Sequence, residues 1–215
     1  NNLGYRIDCK VLNASDYGVP QNRLRAFFVA IREDLEVTFD FTSLDIKPKV
    51  TVQEAIGELY TLDKIPTDLL LDEPSNHFTK YLRTKNQKLF NHEIKYPAEM
   101  TQKRISHVHQ GGNWQDIPAD LFPNNRNNRH SSAYKRLDEN ACSVTIDTGN
   151  AHSNYFHPLY NRIPTVREAA RIQSFKDDFI LEGTRTSQYR QIGNAVPPLL
   201  AKAVAVSLKK YLNSK

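Results

Sequence analysis

Apolar and polar residues alternate through residues 5–11, where Tyr5, Ile7, Cys9 and Val11 are separated by Arg6, Asp8 and Lys10. A period of two predicts a half-buried strand. Residues 24–31 are nearly continuously apolar, from Leu24 through Phe27, Phe28 and Val29 to Ile31, which predicts a strand covered on both faces. The stretch Asp16-Tyr-Gly-Val-Pro20 between them supplies turn formers. The period then becomes helical. Thr51-Val-Gln-Glu54 and Thr165-Val-Arg-Glu168 are capping boxes, in which a threonine and a glutamate side chain satisfy backbone amides that a helix start leaves open. They predict a short helix from Val52 towards Tyr60 and a second, with an apolar side of Val166, Ala169, Ala170 and Ile172, that Pro164 helps to enter. A last helix is predicted from about residue 198 to about residue 212, with Leu199, Leu200, Ala203, Val204, Ser207, Leu208 and Tyr211 in one stripe.

From residue 66 to about residue 155 the periodicity weakens and turn formers accumulate, among them Gly111-Gly112, Pro118, Pro123 and Asn124-Asn-Arg-Asn-Asn128. This predicts an irregular small domain with short strands, of which Ser143-Val-Thr-Ile-Asp147 is the clearest, and with Trp114 as an anchor of its core. No internal repeat is present.

Composition narrows the class. With 215 residues, 39% of them hydrophobic, the chain can bury a core, as two lobes. Two cysteines give no disulfide framework, no apolar run approaches membrane-spanning length, and no secretory signal pattern is present. Both cysteines are read as small core residues, Cys9 on the apolar face of the first strand. The chain begins with Asn, and Met100 is its one methionine, so a fragment or an excised region of a longer protein is expected. The net charge of +5 is unevenly spread: residues 1–79 carry 8 Lys and Arg against 13 Asp and Glu, whereas residues 80–136 carry 11 against 4. Positive charge gathered in the middle suits a phosphate-contacting lobe, a solvated basic face being the alternative.

Three groups of residues carry candidate chemistry. Gln21, Arg23 and Arg25 fall two apart, so an extended backbone points all three to one side, as a site for a phosphate or a carbonyl oxygen or as surface arginines on an edge strand. In Tyr189-Arg-Gln-Ile-Gly-Asn-Ala-Val-Pro-Pro198 a Gly-Asn pair predicts a tight bend before a helix opened by proline, a place for a ligand or simply a corner between helices. Lys103, Arg104, Arg126, Arg129, Tyr134, Lys135 and Arg136, with His107, His109 and His130, mix basic, amide and aromatic groups suited to phosphate positioning and base-edge readout. The histidine spacing fits no common zinc pattern, and no metal site is expected.

The blocks Tyr17-Gly-Val-Pro-Gln-Asn-Arg-Leu-Arg25, Pro164-Thr-Val-Arg-Glu-Ala-Ala-Arg-Ile-Gln-Ser-Phe175 and Gln191-Ile-Gly-Asn-Ala-Val-Pro-Pro198 resemble, in this order, the last three conserved blocks of DNA cytosine-5 methyltransferases. The resemblance implies an α/β chain: the C-terminal part of a Rossmann-like methyltransferase sheet, as an antiparallel strand pair plus closing helices, with an inserted irregular α+β target-recognition domain. It divides the chain into residues 1–60, the end of the catalytic sheet and its following helix, residues 61–160, the recognition domain, and residues 161–215, helices returning to the catalytic domain. Arg25 then corresponds to the arginine that reaches the carbonyl of a cytosine rotated out of the duplex, with Arg23 and Gln21 holding the loop and backbone phosphates. Asn194, through its side chain, and Ala195, through its backbone amide, correspond to contacts of S-adenosylmethionine. Arg167 and Arg171 are expected to be structural. The family's glycine-rich cofactor loop, its Pro-Cys nucleophile and its Glu-Asn-Val acid are absent from the sequence. The resemblance therefore implies the recognising and closing half of a bacterial, cytoplasmic restriction–modification enzyme, working on duplex DNA with an N-terminal catalytic half and inactive alone. A non-catalytic DNA-binding subunit and a transfer-RNA methyltransferase of the same fold are the alternatives.

Overall fold

The computed structural model describes residues 4–63, 73–84, 88–122, 133–147 and 155–213. The chain opens with an antiparallel hairpin, β1 (Tyr5–Asn13) and β2 (Leu24–Arg32), in which Tyr5 lies opposite Arg32 and Leu12 opposite Arg25. The ten residues between the strands are held by side chains suited to turns. Asn13 Oδ1 accepts from the Arg23 amide at 2.9 Å, and the Ala14 amide donates to the Arg23 carbonyl at 2.9 Å. Gly18 closes a short 3-10 turn (Ala14–Tyr17) at φ 76°, a left-handed conformation that strains a side-chain-bearing residue.

One face of the hairpin is covered and the other is not. Leu12, Val29 and Ile31 pack with Phe39 and Phe41 and with Leu200 and Val204 of the last helix, α6 (Pro198–Asn213). On the opposite face Ile7, Val11, Leu24 and Phe28 are 58%, 60%, 63% and 72% exposed. Both strand expectations need correcting here. β1 does not bury its apolar side, β2 is covered on one face only, and Cys9, opposite Phe28, is exposed rather than a core residue. Among the described residues the hairpin pairs with no further strand, so its outer edges also stand open.

A second core joins the two halves of the sequence. α1 (Val52–Ile56), α2 (His77–Leu82), α4 (Val166–Ile172) and α5 (Arg185–Asn194) bury Val52, Ile56, Leu82, Ala169, Ala170, Ile172, Tyr189 and Ile192 together. Both predicted capping boxes form, Thr51 with Glu54 and Thr165 with Glu168. A third core, of Ile105, Val108, Ile117, Leu121, Phe122, Tyr134 and Phe156, belongs to an irregular lobe containing α3 (Glu99–Ser106) and the two-residue parallel pair β3 (Lys135–Arg136) and β4 (Tyr155–Phe156). Trp114 packs against this core, as expected. The strand expected at residues 143–147 is instead an extended segment with a single bridge, Ser143 to Gln21, because its hydrogen bonds go to the Pro20–Asn22 turn.

Buried charge fastens the irregular lobe to the helices. Arg162, fully buried, makes a bidentate pair with Glu168 at 2.7 and 2.8 Å and a second with Asp63 at 2.9 and 2.6 Å. Arg171 pairs with Asp177 and with Glu58, and Glu58 also takes Arg83. The Arg167 guanidinium donates to the carbonyls of Phe90, Lys176 and Phe179. Arg167 and Arg171 are thus structural, as expected. His157 lies 3.6 Å from Glu168 with no exposed surface. Its Nδ1 accepts from the amides of Leu159 and Tyr160, both at 3.1 Å, so its proton sits on Nε2. Burial, opposed by the nearby Glu168 carboxylate, lowers the imidazole to about 4, and the ring is neutral in the fold. Unfolding restores the ordinary histidine range near 6.5, so the unfolded chain binds the extra proton first. Stability is therefore expected to fall as pH drops from about 6.5 to about 4, by up to roughly 3 kcal/mol. Thermal unfolding across that range checks this, and His157→Gln should flatten the upper part of the slope.

Candidate active site

The candidate site forms where the hairpin loop meets the junction of α5 and α6. Gln21, Arg23 and Arg25, expected on one side, lie at different depths. Gln21 and Arg23 have no exposed surface, and Arg25 is half-buried. Gln21 Oε1 accepts from the Ile146 amide at 2.9 Å. Arg23 donates to three carbonyls: Ile146 at 2.8 Å, Gly193 at 2.5 Å and Ala195 at 3.1 Å. Desolvation, added to by the neighbouring Arg25 charge, pushes Arg23 down to about 10. It forms no ion pair among the described residues. These two side chains fasten protein to protein, and their burial leaves them no route to a phosphate. The expectation that they hold phosphates is at odds with this burial, and their hydrogen bonds go to backbone groups of this chain.

Arg25 differs. Its only described hydrogen bond is from Nη1 to the Leu24 carbonyl, at 2.7 Å, in an exposed setting, and no carboxylate pairs with it among the described residues. It is a half-buried, positively charged donor set open to an incoming oxygen.

The bend is not where Gly193 suggested. Gly193 and Asn194 complete the last turn of α5, and the chain turns at Ala195, which is extended at φ −70°, ψ 151°. Pro197 and Pro198 disfavour helical backbone in the residues before them, so α5 must stop and α6 restart at Pro198. Asn194 is exposed, and its side-chain amide has no hydrogen-bond partner among the described residues. The Ala195 amide, expected to face a cofactor, is instead spent on the Ile192 carbonyl at 3.1 Å. Asn194, with its free amide oxygen and nitrogen beside the α6 N-terminus, still fits the polar groups of an amino-acid-bearing cofactor.

Neither cysteine resembles a nucleophile. Cys142 is half-buried, donates to the Val50 carbonyl at 3.3 Å, and burial raises its thiol, which disfavours the reactive thiolate. Cys9 stands on the bare hairpin face, away from the arginines.

The recognition candidates sort by burial. Arg136 is buried, its guanidinium donating to the carbonyls of Pro158, Ile105, Val108 and Leu159, and Tyr134 packs in the lobe core. Both are corrected from DNA contacts to structural groups. Arg104 donates to the Leu121 carbonyl at 2.9 Å and stacks over Phe122, and Lys135 donates to the Gly111 carbonyl. Lys103 is exposed on α3. Arg126, Arg129 and His130 lie outside the described residues. No His, Cys, Asp and Glu cluster suited to a metal occurs among the described residues.

The comparisons with known proteins decide the family. A family profile described as C-5 cytosine-specific DNA methylase matches residues 1–210. The chain belongs to the C-5 cytosine-specific DNA methylases. It is 36% identical over 208 residues to the type II methyltransferase M1.HphI of Haemophilus parahaemolyticus, covering 97% of this chain and 49% of that protein. It is 31% identical over 237 residues to M.DdeI of Desulfomicrobium norvegicum, covering 100% of this chain and 57% of that protein. A crystal structure of a DNA modification methyltransferase encoded within an E. coli prophage superposes with a TM-score of 0.76 at 25% identity, over 98% of this chain and 62% of that one. The chain spans about half the length of the curated relatives it matches. The methylase fold is α/β, and this chain holds the antiparallel pair and closing helices of its Rossmann-like sheet with the irregular lobe inserted between them. Methylases of this family use S-adenosylmethionine. Among the described residues no helix is long and apolar enough to cross a membrane.

Proposed function

We propose that this chain is the recognising and closing half of a DNA cytosine-5 methyltransferase of a restriction–modification system, and that it completes a site whose attacking cysteine comes from an N-terminal catalytic half. The observation that carries this reading is the uncovered apolar face of the hairpin, opposite the face on which Arg25 lies. A nine-residue strand pair with Ile7, Val11, Leu24 and Phe28 in water is marginal alone and calls for a covering layer. The N-terminal half of the methylase is the natural occupant. The reading divides the chain as its resemblance implies, into catalytic segments 1–60 and 161–215 around a recognition domain at 61–160.

In the assembled enzyme Arg25 contacts the carbonyl oxygen of a cytosine turned out of duplex DNA. A fixed guanidinium there is preorganised for the negative charge that gathers on the ring as the cysteine adds, and it needs no reorientation as the reaction proceeds. Asn194 holds the amino-acid end of S-adenosylmethionine, which when bound supplies an electrophilic methyl group. Ala195 serves through the placement of its backbone. Lys103, Arg104, Lys135, Arg126 and Arg129 are the residues of this chain proposed to contact phosphates or bases. Localisation follows the substrate, in the cytoplasm of a bacterium.

Binding to a labelled DNA duplex should weaken steeply between about 50 and 200 mM salt, through release of counterions from phosphates. Competition by unlabelled duplex, and not by transfer RNA, is the expected outcome. Preferential competition by transfer RNA would replace DNA with RNA as the substrate.

A further inference from the structure

Arg23 is engaged at the site in a way that neither phosphate binding nor base contact describes. Its acceptors at Gly193 and Ala195 lie on either side of Asn194. Each carbonyl belongs to a planar peptide unit, so anchoring the oxygen fixes the orientation of that plane. Arg23 therefore fixes the plane between residues 193 and 194 and the plane between 195 and 196. The plane between them is fixed by the Ala195 amide bonding to Ile192. Three successive planes are held, and with them the backbone dihedrals of Asn194 and Ala195. The direction of the Asn194 Cα–Cβ bond, from which its amide extends, follows from that backbone.

The choice of residue is explained by the same geometry. The C-terminal carbonyls of a helix lack intrahelical donors and carry partial negative charge. α5 has no basic residue in its own last turn, and Arg23 supplies the cation from the hairpin, 170 and 172 positions away in sequence. A planar fork of donors can reach the Ile146, Gly193 and Ala195 carbonyls together, which a lysine ammonium on a flexible stem does less well. The bond to Ile146 extends the same hold to the segment that leads out of the irregular lobe.

We propose that Arg23 is a positioning residue for the cofactor: it acts through Asn194, by fixing the backbone that aims the Asn194 amide, and touches neither cofactor nor DNA itself. This rests on the reading of Asn194 as a cofactor contact. The test is a double-mutant cycle on the complete methyltransferase containing this chain, with S-adenosylhomocysteine as the probe and its Kd read by calorimetry. Asn194→Ala is expected to weaken binding about tenfold or more, the loss of one hydrogen-bonding group to a polar ligand. Arg23→Lys and Arg23→Gln, run side by side so that one folded variant suffices, should each weaken it by a similar factor. Added to Asn194→Ala, either should weaken it little further, because the group they aim is gone. At saturating cofactor, single-turnover methyl transfer by Arg23→Lys should stay within a few-fold of wild type, so that KM moves and the chemical step does not. A folded Arg23 variant with wild-type affinity overturns the proposal. So does a double variant whose loss is the product of the two single losses, the pattern of two independent structural defects. Wild-type affinity in Asn194→Ala would instead sink the cofactor reading of the bend, and the proposal with it.

Discussion

Arg25→Ala in the complete enzyme should lower the rate of methyl transfer by two to three powers of ten, with DNA affinity changed little. The magnitude follows from what the side chain is free to do. Arg25 is half-buried and has no carboxylate partner among the described residues, and its one described bond is to the adjacent Leu24 carbonyl. Its charge is therefore not consumed in holding the fold, whereas that of Arg23 is. Removing a donor aimed at developing negative charge costs roughly 3–4 kcal/mol, which is the rate loss expected here. Arg25→Lys keeps the charge but not the fork, and should recover only part of the rate. The measurement is single-turnover methylation of a cognate duplex beside a binding isotherm on the same DNA. Unchanged turnover would remove Arg25 from the chemistry, and an equal loss in binding would make it a DNA anchor.

Glu168→Ala should lower stability by about 3–5 kcal/mol, the range for removing one member of a buried, hydrogen-bonded ion pair. For a chain of this length that is a drop in Tm on the order of 10 °C. Burial by itself would raise the Glu168 carboxyl. The Arg162 guanidinium, by its charge and its hydrogen bonds, outweighs it and holds the carboxyl far below its ordinary range, so the group is ionised in the fold. Its loss leaves Arg162 with Asp63 as its one described carboxylate and strips the Thr165 amide of its capping acceptor, at 2.7 Å. Glu168→Gln, which keeps an acceptor for the cap while losing the charge, should fall between wild type and alanine. A depressed carboxylate contributes above its unfolded value, near 4.5, and that contribution is lost as pH falls below it. The stability difference between wild type and Glu168→Gln should accordingly narrow in acid. Equal stability of all three proteins at neutral pH would mean that the network is not what joins the irregular lobe to the helices.

The sequence showed what each residue prefers locally and left open what lies next to it. Both capping boxes, the apolar stripe of α6 and the placement of α1 and α4 were legible because each is settled within a few residues. The covered and bare faces of the hairpin were not. Alternation says that Ile7, Val11 and Phe28 suit burial, and nothing in it says whether the covering layer is on the same chain. The basic and aromatic middle region pointed towards a DNA surface, but composition does not separate Lys103, exposed on α3, from Arg136, whose guanidinium makes four hydrogen bonds to backbone carbonyls. Gly193 looked like the bend because glycine weakens helices, yet two prolines downstream decide where α5 ends. The pair of arginines two apart on one strand was visible. That one of them reaches across 170 residues to the turn that ends α5 is a tertiary fact, with no local signal.

Catalysis is proposed to be shared between two stretches of protein. The direct measurement is transfer of a labelled methyl group from S-adenosylmethionine to duplex DNA, by this chain alone and after it is combined with the catalytic half carrying the family's Pro-Cys segment. No transfer by the chain alone and clear transfer by the combination is the predicted result. Methylation by residues 1–215 unaided would contradict it.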